Sequence, residues 1–180
     1  MKRIVSNLAG TLAVLLLLSC TAAFGKAGFG DKRFLSAAYQ GNLEEVALGK
    51  LAQQKASNPQ IKDAGKRMVT DHSKMEDQVK MVAQKEQVSL PAGMSQMQQR
   101  DIDKLTKLSG ADFDKQYTQM MVKDHQSDVK DFQKEEKGTK DAGIKKLVAG
   151  ALPTIEAHLT MFQSVQNGKG STKNTKMPMK

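Results

Sequence analysis

The three histidines of this 180-residue chain are His72, His125 and His158. Each falls on the apolar stripe of a helix that hydrophobic periodicity predicts. Such a stripe ordinarily carries Val, Leu, Ile, Met, Phe or Ala. An imidazole there is either a core residue satisfied by a hydrogen bond or a ligand. Neutral imidazole is the commonest side-chain metal ligand, and a bundle core is a usual place for one. Glu45 lies on or beside the stripe of a fourth helix. Glu45 with His72, His125 and His158 is a donor set that suits Zn, Cu, Ni or Fe. Met68 and Met121 stand one turn before His72 and His125, and thioether beside imidazole favours copper, Cu(I) above all.

Other chemistry is not supported. Di-iron carboxylate sites need Glu three residues before His on two helices, but Val69, Val122 and Ile155 occupy those positions. No Ser/His/Asp order, Gly-rich phosphate loop or clustered acid pair stands out, so no catalytic residue is assigned. The competing reading is a non-catalytic envelope or stress-related protein. Its histidines would be structural, satisfied by Glu45 or by backbone carbonyls, and its Met residues core filler.

The elements that must position these residues are all helical. The chain is rich in Lys, Gln, Met, Ala and Leu, and no stretch alternates with period two. A first helix has a lead-in at Phe34 to Gln40, an interruption at Gly41-Asn42, and a restart in which Asn42 and Glu45 resemble a capping box. It runs to about Ser57. The second opens with Asn58 as cap and Pro59 at the first helical position. It reaches about Gln87, with Ile61, Gly65, Met68, His72, Met75, Val79 and Val82 in four-three alternation. A long connection follows, with a turn at Leu90-Pro91-Ala92-Gly93. It holds a short helix capped by Ser95 and carrying Ile102, Leu105 and Leu108. The third long helix begins with Ser109 as cap and Asp112 three residues on. Its face includes Phe113, Tyr117, Met121, His125, Val129 and Phe132, and Gly138 ends it. The fourth covers roughly 141–166, with Pro153 inside its pattern as an expected kink. Met68-Val69-Thr70-Asp71-His72 is echoed by Met121-Val122-Lys123-Asp124-His125, so the two helix pairs read as related halves. Two hairpins joined by a long crossover is the topology of a ferritin-like four-helix bundle, here with a short extra helix in the crossover.

Register tests whether the candidates meet. Glu45 lies about 12 residues before the first turn and His72 about 14 after it, an axial offset of only ~3 Å. His72 and His125 each lie about 14 residues into helices that the crossover makes parallel, so they are level. His158 lies about six residues further from its turn than His125, or ~9 Å along the axis, which counts against one four-ligand cluster. Asp71 and Asp124, one residue round from their histidines, are expected to face solvent or Lys neighbours. Glu76 and Asp128, one turn after His72 and His125, are the better supporting acids.

The N-terminal segment reads as a signal peptide over residues 1–25. Met1-Lys2-Arg3 is a basic start, and Leu8 to Leu18 is an apolar run too short to span a membrane. Two processing readings stand side by side. Leu17-Leu18-Ser19-Cys20 resembles a lipobox that would leave Cys20 lipidated, and Ala23-Phe24-Gly25 offers conventional cleavage after Gly25. Both place the mature protein in the periplasm or cell envelope, with residues 31–167 as the helical domain and 168–180 as a basic, disordered tail. Cys20 is the only cysteine, so the mature domain has no internal disulfide and no thiolate site. The formal net charge of +9 is concentrated at the two ends of the chain. A nucleic-acid binder would place that charge on its fold, so nucleic acid is not an expected partner. Membrane association would run through a lipidated Cys20 or the basic tail.

These residues also resemble a known family. Glu45-Val46-x-x-Gly49-x-x-Ala52, Met68-Val69-x-Asp71-His72, Leu90-Pro91, Phe113-Asp114-x-x-Tyr117, Met121-Val122-x-Asp124-His125 and Leu152-Pro153-x-x-x-x-His158 are similar to the bacterial family called domain of unknown function 4142. The resemblance covers about Phe34 to Val165. It implies export and a ferritin-like helical fold, and it carries no established reaction. It points to Glu45, Asp71, His72, Asp124, His125 and His158 as the positions a family site would use.

Overall fold

The computed structural model describes residues 27–168. The expected signal peptide, Cys20 and the tail beyond Gly168 lie outside the described residues. Five helices follow in order, α1 (Phe29–Lys55), α2 (Pro59–Lys85), α3 (Gln96–Thr106), α4 (Gly110–Gly138) and α5 (Ala142–Gln166). No strand forms among the described residues, and none of their helices is long and apolar enough to cross a membrane.

Local chemistry sets most of the helix starts. The Asp31 carboxylate accepts from the Gly28 N–H at 2.7 Å, at the head of α1. Asn58 caps α2 by accepting from the Gln60 N–H, with Pro59 at the first position, where its missing N–H costs nothing. Ser95 and Gln98 satisfy each other's backbone N–H groups at the start of α3. Asp141 accepts from the Ile144 N–H at 2.8 Å to open α5.

Two expected starts are corrected. Ser109 makes no side-chain cap bond. The acid that organises this end is Asp114, which accepts from the backbone N–H groups of Ser57 and Asn58 and from the Ser57 hydroxyl. It thereby ties the α1–α2 turn to the first turn of α4. The interruption at Gly41-Asn42 does not occur either. α1 is continuous through it, because a single glycine in open space lowers helix propensity by only about 1 kcal/mol and packing against α2 outweighs that. α5 likewise runs unbroken through Pro153, which is exposed to solvent.

α1 packs most extensively on α2, and α4 on α5; α2 also meets α5, and α1 meets α4. α3 bridges α1 and α4 at one side. The α1–α2 approach is close. A Cβ built on Gly65 would lie 2.6 Å from the Gly49 carbonyl oxygen, and one on Gly49 would lie 2.8 Å from that of Gly65.

The core divides into two apolar clusters. One gathers Leu48, Ile61, Met68, Phe113, Tyr117, Met121 and Phe162. The other gathers Leu35, Met75, Val79, Phe132, Val148 and Ile155. Between them in chain position, on all four long helices, lies a buried polar layer of Asn42, Glu45, His72, His125 and His158.

The glycine contact yields a prediction. Gly65→Ala should lower the unfolding free energy by about 1–3 kcal/mol, since its methyl meets backbone that cannot move aside. Gly150→Ala, exposed and with open space around its Cβ position, should instead be neutral or stabilising by up to about 1 kcal/mol. Urea unfolding of the two variants measures both.

Candidate metal centre

α2 and α5 bring His72 and His158 together, with Nε2 of the first 3.2 Å from Nδ1 of the second. His125 from α4 completes a triangle. Its ring centroid lies 5.6 Å from that of His72 and 5.4 Å from that of His158. One nitrogen from each ring lies within 4.8 Å of the other two.

The low expectation for His158 is corrected here. Its turn centres near Lys140, so His125 and His158 are 15 and 18 residues from it. That is roughly 4–5 Å of axial offset, which an imidazole's reach spans.

Each ring is pinned through the nitrogen that faces away from the triangle. The Asn42 amide donates to the Ala38 carbonyl at 2.7 Å, which turns its oxygen toward His72. His72 Nδ1–H therefore donates to Asn42 Oδ1 at 2.9 Å, shared with Glu45 Oε2 at 2.8 Å. His125 Nδ1–H donates to the Met121 carbonyl at 2.9 Å, one turn back on α4. His158 Nε2–H donates to Asp71 Oδ2 at 3.0 Å. With those three protons placed, the lone pairs belong to His72 Nε2, His158 Nδ1 and His125 Nε2. The 3.2 Å contact between His72 and His158 then joins two acceptors with no proton between neutral rings. His125 Nε2 has no hydrogen-bond partner, and neither does Glu45 Oε1, 3.5 Å away.

The surroundings oppose an imidazolium solution. Burial lowers the His72 pKa to about 3 and the His125 pKa to about 4, the latter against the pull of Glu45. Burial also lowers His158, against its bond to Asp71. Asp71 is held below its usual range, first by that hydrogen bond. Burial raises the carboxyls on the α1–α4 side. Glu45 rises to about 7 against the pull of His125, Glu44 to about 7 and Asp124 to about 6, while Asp128 rises as well.

Two expectations about supporting acids fail. Asp71 does not simply face solvent. It borders the α2 stripe on the side of α5, within reach of the His158 ring. Glu76 pairs outward with Lys80 at 2.5 Å, because that lysine lies one turn on along the same face. Asp128 does stand by the site, with Glu45 and His125. Met68 and Met121 are fully buried in the apolar cluster beside the layer. Asn42 is the residue that sequence reasoning misplaced, as a cap. Its signal was present, since a polar residue three before Glu45 shares the buried face of an unbroken helix.

A family model described as "Domain of unknown function (DUF4142)" matches residues 19–165. The chain belongs to that family. No curated protein matches it. Among solved structures, a DUF305 fragment from Deinococcus radiodurans aligns with a TM-score of 0.69 at 11% identity, covering 79% of this chain and 98% of that one. CopM in its Cu(I)-bound form aligns with a TM-score of 0.64 at 20% identity, over 77% of this chain and 97% of its own. The Ag-bound form of CopM gives 0.63 at 18% identity, over 76% and 95%. At these identities the likeness establishes a shared helical fold.

Glu44 offers a test of the electrostatics. Its folded pKa lies above its unfolded value, so its ionisation costs stability as pH rises through about 7, and the cost is absent below the unfolded value near 4.5. Glu44 is half-buried, and solvent screening leaves an expected effect of about 1 kcal/mol. Glu44→Gln should therefore be more stable than the parent at pH 8 by about 1 kcal/mol and indistinguishable from it at pH 4. Unfolding curves at both values decide this.

Proposed function

We propose that this DUF4142 protein is an exported metal-binding or metal-buffering protein with a ferritin-like arrangement of its two helical hairpins. It holds one transition-metal ion through His72, His125 and His158, with Glu45 alongside. The observation that carries this reading is the pair of facing acceptors, His72 Nε2 and His158 Nδ1, 3.2 Å apart. Two nitrogens bound to one ion at about 2.0 Å in tetrahedral geometry are roughly 3.3 Å apart. A cation between them turns a repulsive contact into two bonds. The outward hydrogen bonds to Asn42, Glu45, Met121 and Asp71 are the supports that orient ligating imidazoles and raise their basicity. Glu45 adds a buried carboxylate that offsets the ion's charge.

Copper leads among Zn, Cu, Ni and Fe. Imidazole suits copper, Met68 and Met121 lie beside the layer, and one fold neighbour, CopM, has Cu(I)-bound and Ag-bound forms. Export rests on the N-terminal sequence, and envelope attachment through Cys20 or the basic tail belongs to the same proposal.

Anaerobic titration against a chromophoric Cu(I) chelator, with Zn(II) in parallel, tests the reading. One equivalent of ion should bind, raise the melting temperature by mass action, and be released in acid as the histidines protonate. His72→Ala and His125→Ala should each weaken binding by at least a hundredfold. A wild-type protein that takes neither ion, together with variants about 1–3 kcal/mol less stable without metal, would favour structural histidines and overturn it.

A further inference from the structure

A second set of donors lies on the α1–α4 side of the polar layer. Glu45, His125 and Asp128 each offer one ligand atom, all within 4.8 Å of one another. His125 and Asp128 are three residues apart on α4, so they project from one face. Glu45 reaches them from α1. Two of the three donors are buried and unpartnered. Glu45 is 6% exposed and His125 is 0%, and Glu45 Oε1 and His125 Nε2 make no hydrogen bond. They face each other at 3.5 Å, too far for a good hydrogen bond. The Met121 carbonyl already holds the ring proton on Nδ1, so both atoms present lone pairs to the same space. Glu44, Asp124 and Asp131 add negative charge around Asp128.

The chemistry here differs from that of the three-histidine triangle. Two carboxylates and one imidazole suit a harder divalent ion, whereas three imidazoles suit a softer one. We propose that Glu45, His125 and Asp128 form a second cation position, for an oxygen-preferring divalent ion such as Mn(II), that shares His125 with the three-histidine position. His125 Nε2 has one lone pair, so it serves one position at a time. An ion at the carboxylate side therefore excludes one at the three-histidine position.

The probe is Mn(II) alone, with free ion followed by electron paramagnetic resonance. Wild-type protein should bind one equivalent, and spin-echo modulation should report a single imidazole nitrogen. Asp128→Asn, a near-isosteric change at a half-buried residue, should weaken binding at least tenfold while keeping the helical circular dichroism of the parent and melting no lower than it. His158→Ala, which dismantles the three-histidine position, should keep the manganese. Three results would overturn the proposal. They are no Mn(II) binding by wild type, equal binding by Asp128→Asn, and loss of manganese or of its single-imidazole signature on changing His158. Mn(II) bound at the carboxylate side by a protein that takes no Cu(I) or Zn(II) would sink the three-histidine reading and leave this one standing.

Discussion

The arrangement of the core turns on where three protons sit. Asn42, the Met121 carbonyl and Asp71 each hold the outward N–H of one imidazole. Because those protons are committed, three lone pairs face inward in a layer that burial makes unfavourable for imidazolium. A core of this size has no need of such a layer for stability. Replacing buried polar groups with well-packed apolar ones is often neutral or stabilising. Here the layer interrupts the apolar packing on all four long helices at once, between the clusters around Phe113 and Phe132.

The packing on either side serves that layer. Gly49 and Gly65 let the α1 and α2 backbones approach closely, which brings Asn42 and Glu45 to His72. Asp114 ties the α1–α2 turn to the start of α4 and so fixes the depth of His125 relative to His72. The rings then meet edge to face, and His125 also lies against Phe162. A rigid apolar cluster next to a polar constellation holds rotamers in place, which a ligand site requires.

Much of this was legible in the residues. The four-three spacing through His72 and the repeated Met-Val-x-Asp-His motif predict level histidines on two helices, and the structure brings those rings together. The short helix after the Leu90-Pro91 turn was legible too, from Ser95 as its cap and from Ile102, Leu105 and Leu108. What periodicity misses is anything that depends on neighbouring helices. Asp71 sits one residue off the stripe, and only the course of α5 brings His158 within its reach. Asn42 reads locally as a cap after a glycine, since Asn favours such positions, but packing on α2 keeps α1 unbroken and turns Asn42 into the residue that sets a tautomer. For His158, helix bounds at Gly138 and 141 already put the turn near Lys140, so its offset from His125 is about four residues rather than six, within an imidazole's reach.

Long-range proton–nitrogen NMR of the histidine rings in metal-free protein at pH 7 reads these three protons directly. Three neutral rings are expected, with the proton on Nδ1 in His72 and His125 and on Nε2 in His158. An imidazolium or the opposite tautomer at His72 or His158 would place a proton in the 3.2 Å contact and contradict this, and an imidazolium at His125 would contradict it by removing that ring's lone pair.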